Sequence, residues 1–182
     1  RSLGVEINPL SALMSNVKVQ SMTVPAPDLK DAIESYMALV SEACGQHEDR
    51  SRNRAVSKPV VDFGKIDRAI ASIPKRIADG LDSPRDTLTR IVIANAVLGL
   101  TESGPIRDFL QVALSGAISD IIRRTKDDFV SVLRSRLTDL YLLIFLFQKL
   151  NSTLHIPVGD GRCVVGDTRA MTMVSSGSID AI

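Results

Sequence analysis

Cysteine is scarce in this chain. There are two, Cys44 and Cys163, far apart and without metal-ligand spacing. A disulfide framework or a cysteine-rich metal site is thereby set aside, and Cys163, in an apolar run that reads as a buried strand, is expected to be a reduced thiol of a cytoplasmic protein. Histidine is equally sparse. His47 and His155 stand alone, so surface or packing roles are expected of them rather than catalysis. Excess charge is lacking too: 22 basic against 21 acidic residues leave a formal +1. Any surface for a polyanion must therefore be local. There is no uninterrupted apolar run of bilayer length. The best stretch, Leu137–Leu150, contains Asp139 and Gln148 and is too short to span. No membrane span and no metal are expected. Internal repeats, low-complexity tracts and a visible signal peptide are absent as well.

What is present is ordinary globular composition, 45% hydrophobic and 24% charged over 182 residues. That is enough for one domain with a sizeable core, or for a domain carrying a large insertion. The sequence opens on Arg1 and closes inside an apolar run, so it is expected to be an excerpt of a longer protein.

Helical periodicity dominates the middle. Apolar residues recur at helical spacing in Pro9–Thr23, ended by Val24-Pro25-Ala26-Pro27. Asp28 is placed to cap a helix over Leu29–Cys44, with Ile33, Met37, Val40 and Cys44 on one face. Gly45–Pro59 is the most polar segment and reads as an exposed loop, with a basic cluster at Arg50, Arg52, Arg54 and Lys58 that is by default solvated and, in the sharper reading, contacts phosphate. A helix is expected over Phe63–Leu81, kinked or broken at Pro74. Asp82-Ser83-Pro84 is a start signal for an apolar helix over Leu88–Leu100, suited to the middle of a bundle. Two more helices are expected over Ile106–Arg123 and Lys126–Asn151, the second with Phe129, Leu133, Leu137, Leu140, Ile144 and Phe147 in register. Arg123, Arg124, Arg134 and Arg136 gather near their junction, by default on a solvated face.

The flanks read differently. Leu3–Glu6 is a short apolar run ending in a carboxylate, followed by Asn8-Pro9 opening a helix. After the turn at Pro157–Gly161, Cys163–Val165 is a short strand ending in Gly166-Asp167, and Ser178–Ile182 begins another. An acid just past a buried strand is where open α/β sheets bind ligands. The expected fold class is therefore α/β: a partial Rossmann-like sheet from residues 1–27 and 158–182, with an all-helical insertion over 28–157 that makes the chain mostly helical by count.

Two blocks carry a resemblance. Gly4-Val5-Glu6-Ile7-Asn8-Pro9-Leu10, and Val165-Gly166-Asp167 followed by Ser178-Ile179-Asp180-Ala181-Ile182, resemble the second and third motifs and the fourth-strand lead-in of the S-adenosylmethionine-dependent DNA amino-methyltransferases. These enzymes methylate the exocyclic nitrogen of adenine or cytosine. The phrase Asp108–Ser115 resembles a helical insert found in a subset of them. The match covers about 45 residues of the flanks and the insert more loosely; the separation between the second and third motifs is longer than in compact methyltransferases.

The resemblance implies S-adenosylmethionine as cofactor and DNA as substrate, with a homodimer or a restriction enzyme as further partner. It implies that Glu6 accepts the ribose hydroxyls and that Asp167 accepts the adenine amino group. Asn8 is first a helix cap and second a cofactor contact; Thr168 or Leu10 would lie near the adenine. It implies that strand Cys163–Val165 pairs in parallel with Leu3–Glu6, and that Ile179–Ile182 does not. The family's Gly-rich first motif and its Pro-Pro-aromatic catalytic motif would fall before Arg1 and after Ile182. No catalytic residue is therefore expected here, and the 182 residues alone should neither bind cofactor well nor methylate DNA. The alternative is a helical DNA-binding or dimerisation module attached to a methyltransferase acting on RNA or protein.

Overall fold

In the computed structural model the chain runs β1 (Ser2–Glu6), α1 (Pro9–Gln20), a 3-10 turn (Ser21–Thr23), α2 (Ala26–Ser51), α3 (Phe63–Ala71), α4 (Pro84–Leu98), α5 (Pro105–Arg123), α6 (Phe129–Leu154) and β2 (Gly161–Val165). The structure describes residues 2–52, 54, 58–74, 81, 83–123, 127–155 and 161–166.

Prolines and short acceptors start most of these helices. Asn8, Asp62 and Asp128 cap α1, α3 and α6 by accepting the backbone N–H of Leu10, Lys65 and Ser131. Proline occupies the first turn of α1, α2 and α4, where its missing N–H costs nothing. Asp28 is not the cap expected of it. Pro25 stands at the cap of α2, and Asp28 lies inside the first turn, where its charge suits the helix dipole. At the far end of α6, His155 adopts the left-handed conformation that closes a helix, a structural role.

The helices supply the core. Leu29, Val40, Ile93, Phe109, Leu133 and Leu137 are fully buried. Each such side chain contributes roughly 1.5–3 kcal/mol of burial. The most extensive packing is between α5 and α6; α4 lies against α2, α3, α5 and α6, the mid-bundle position its apolar sequence predicts. Tyr36 of α2 donates its hydroxyl to the Ala94 carbonyl of α4 at 3.0 Å, and burial raises its pKa. Arg90 of α4 binds Asp86, the α6 cap Asp128 at 2.7 Å and Glu48 of α2, joining three helices at one guanidinium. Burial works against that charge, but Asp86 and Asp128 outweigh it and raise its pKa.

The α/β expectation is corrected here. The described residues form a mostly helical fold with a two-stranded parallel sheet, not a Rossmann-like one. The physical reason is the size of the sheet. Two strands of five residues offer no broad face for helices to cover, and among the described side chains the main core cluster draws no buried member from a strand. The helices bury their apolar faces against one another instead. Within that small sheet, β1 and β2 do pair in parallel, from Ser2↔Gly161 to Glu6↔Val165.

A second difference concerns residues 45–51. They continue α2 rather than opening a loop. Gly45 lies on an open face with nothing near its absent Cβ, and Gln46, Glu48 and Arg50 after it are good helix formers. Gln46 holds the following segment against the helix, donating to the Lys58 carbonyl and accepting the Val60 N–H. Arg50 and His47 then lie against Phe63 of α3. The α3 helix ends at Ser72, short of Pro74, as proline requires; residues 75–80 lie outside the described set.

Candidate functional site

The candidate site is the carboxyl end of the two strands. Gly166, just past β2, donates its N–H to the Glu6 carbonyl at 3.0 Å. The last residue of β1 and the glycine that ends β2 are thus in direct contact. The Glu6 side chain turns back on the loop it begins: Oε1 accepts the Asn8 N–H at 3.1 Å. Asn8 in turn accepts the Leu10 N–H at 2.9 Å. The carboxylate is held beside the N-terminus of α1 with one oxygen engaged, and Oε2 has no partner among the described residues. Asn8 does what its position after a strand and before Pro9 predicts, capping α1. Leu10 is exposed one turn further on.

Asp167 and Thr168 lie outside the described residues, as do Asp180 and the expected strand Ile179–Ile182. Of the predicted site residues, the structure brings Glu6 and Asn8 together, with Gly166 against them.

What holds β2 in place was not foreseen from the sequence. Asn16, on the inner side of α1, makes two bonds to one residue of β2. Its Nδ2 donates to the Cys163 carbonyl at 2.7 Å and its Oδ1 accepts the Cys163 N–H at 2.6 Å. The side-chain amide acts as one residue of a third strand, satisfying backbone groups that point away from β1. The helix that follows β1 thereby fixes the strand that carries Gly166. The signal available was an asparagine, a poor helix former, in mid-helix between the core-facing Ala12 and Val17.

The basic cluster does not form an open anionic-ligand site. Arg50 binds Asp67 at 3.4 Å, Arg54 binds Asp49 at 3.1 Å, and Arg52 lies 4.0 Å from Glu48. Each of the three already faces a carboxylate. At the α5–α6 junction Arg136 pairs with Asp120, a hydrogen bond that raises the guanidinium pKa. A cleft of about 500 Å³ between α2, α3 and α4 is lined by His47, Asp67, Arg85 and the apolar Ile70, Ile73 and Leu88. His47 sits 3.9 Å from Asp67 there, and among the described residues the lining holds no serine or cysteine. Cys44 is buried, which pushes its thiol pKa up to about 11 and makes it a poor nucleophile.

Among the described residues, no group of His, Cys, Asp and Glu could hold a metal ion, and no helix is long and apolar enough to cross a membrane. No protein-family model, curated protein or solved structure matches the chain.

Proposed function

We propose that this chain is part of a DNA amino-methyltransferase, contributing one side of the S-adenosylmethionine pocket of an enzyme that methylates an exocyclic nitrogen of adenine or cytosine. The supporting observation is the contact between Glu6 and Gly166 at the carboxyl ends of neighbouring parallel strands. Asp167 follows Gly166 in the sequence, and the reading has it meet the same ligand as Glu6. Two carboxylates separated by 160 positions would then face one small nucleoside.

The chemistry fits the residues. A ribose presents two hydroxyl donors, and Oε2 of Glu6, without a partner among the described residues, together with its partly engaged Oε1 can accept both. The Asn8 N–H fixes the direction of that carboxylate before ligand arrives. Asp167 would accept the adenine amino group; Thr168 would lie beside the ring, and Asn8 would touch the cofactor only secondarily to its cap. Methyl transfer is attack by the base's amino nitrogen on the sulfonium methyl. The 182 residues contain no Pro-Pro pair, so the grip on the extruded base is not supplied by these residues. The reading keeps the cytoplasmic location expected from the two unpaired cysteines.

The test is equilibrium binding of S-adenosylhomocysteine and of its 2′-deoxy analogue to the chain. The reading predicts weak binding, a several-fold preference for the intact ribose, and loss of that preference in Glu6→Ala. Equal affinity for the two ligands in the unaltered chain would overturn the ribose role. Detectable methylation of DNA by the chain alone would overturn the division of labour.

A further inference from the structure

The α6 helix has two apolar faces and the fold uses one. Phe129, Leu133, Leu137 and Ile144 point into the core. In its C-terminal half the apolar surface continues round the helix: Leu142 and Leu146 stand opposite that stripe and Leu150 and Leu154 wind back toward it, at 48%, 60%, 49% and 56% exposure, flanked by the exposed Leu143 and Phe147. At 3.6 residues per turn these six fall within an arc of about 140° and a length of about 18 Å. The one charged residue between Tyr141 and Leu154 is Lys149, at the edge of that arc.

Six large side chains at roughly half exposure leave on the order of 500 Å² of apolar surface open, the upper end of what a monomer normally shows in one patch. A standard interface takes about 800 Å² from each partner, with a polar rim around such a centre.

We propose that a second copy of this chain covers this face, its α6 packed antiparallel on the first about a two-fold axis at the level of Gln148. The leucine pattern selects that occupant. Positions 142, 146, 150 and 154 form a single ridge of the kind that interdigitates with a like ridge in the commonest class of helix packing. A two-fold at 148 sets Leu142 against Leu154 of the second copy and Leu146 against its Leu150. Every step of the ridge is leucine, so it reads the same in both directions, which is what a closed, self-complementary interface requires. From Leu142 to Leu154 the face has no carboxylate and a single marginal cation, and Asp139 with Arg136 bounds it one turn earlier, so nothing within it selects a charged partner. This inference does not rest on the methyltransferase reading.

Sedimentation equilibrium on the chain at micromolar concentration tests it, beside a Leu146→Lys, Leu150→Lys double variant and with circular dichroism as the control for folding. The expected result is a dimeric mass for the unaltered chain and a monomeric mass, at the same helicity, for the variant. A monomeric mass for the unaltered chain would overturn the proposal, as would a dimer that survives both lysines. The register has its own test. Mixed Leu146→Cys and Leu150→Cys chains should form the crossed disulfide dimer in preference to either like pair, judged against the unaltered chain. Cross-linking no greater than that control, or preference for like pairs, would contradict the two-fold at 148. Binding of the chain to neutral lipid vesicles, abolished by the two lysines and without self-association, would assign the face to a membrane surface instead.

Discussion

The helical body and the two-stranded sheet of this protein are held by different forces. In the body, Phe109, Leu133 and Leu137 are fully buried among residues from several helices, and stability is spread over many apolar contacts. In the sheet, Val5 and Val164 are only half-buried and Val165 is exposed. Among the described residues, β2 is tied by the ladder to β1 and by two hydrogen bonds with Asn16. The body therefore carries the fold, and the sheet carries a few polar groups in fixed relation. A strand end held by a small hydrogen-bonded sheet can be repositioned by losing one side chain, whereas the body cannot be changed so cheaply.

The comparison breaks most visibly at the core. Phe109→Ala is expected to cost about 3–5 kcal/mol, read as a loss in chemical denaturation. A cost below about 1 kcal/mol would mean that the body is not one cooperative core. Asn16→Ala comes next. It strips both bonds from Cys163 and should cost about 1–3 kcal/mol, with faster hydrogen exchange at the Cys163 amide while the helix amides hold. Uniform loss of protection would instead make the sheet part of the same cooperative unit.

Alkaline pH separates the two regions in another way. Burial raises the Cys44 thiol from an unfolded value of 9.0 to about 11. Between those values the unfolded state gives up the proton and the folded state keeps it. Stability from this group is thus full below about pH 9 and is lost as pH rises toward 11, on the order of 2 kcal/mol in all. Melting curves from pH 8 to pH 10 should show the onset of the decline, and Cys44→Ala should lessen it there; above pH 10 the buried Tyr36 adds a decline of the same sign. The smallest effect is at Ser21, whose hydroxyl is fully buried at the end of α1 without a hydrogen-bond partner among the described residues. Ser21→Ala is expected to be neutral or to stabilise by about 0.5–1 kcal/mol. A clear loss would show that the hydroxyl is satisfied after all.

The body was legible because apolar periodicity survives packing. Met37, Val40 and Cys44 are buried on one face of α2, as their spacing predicts, and Pro84 begins α4 at the expected start signal. The same method misplaced Phe147, which keeps the spacing of Leu133, Leu137 and Ile144 yet lies exposed. By then α6 extends past most of the core, and periodicity cannot tell a second apolar face from the first. The polar end of α2 was misread for a related reason: the partners of Gln46, Arg50 and His47 lie beyond residue 57, outside any local window. The pairing of β1 with β2 followed from the order of two short motifs. The fold class did not, because a resemblance in strand ends says nothing about how few strands stand beside them. Asn16 was legible only as an oddity, since a helical asparagine does not announce which strand it binds.

The most direct measurement is a backbone amide spectrum of the isotope-labelled chain during titration with S-adenosylmethionine. The account predicts concentration-dependent shifts centred on Glu6, Asn8 and Gly166, abolished in Glu6→Ala and absent when methionine alone is added. Shifts confined to the helical body, or the same shifts in Glu6→Ala, would contradict it.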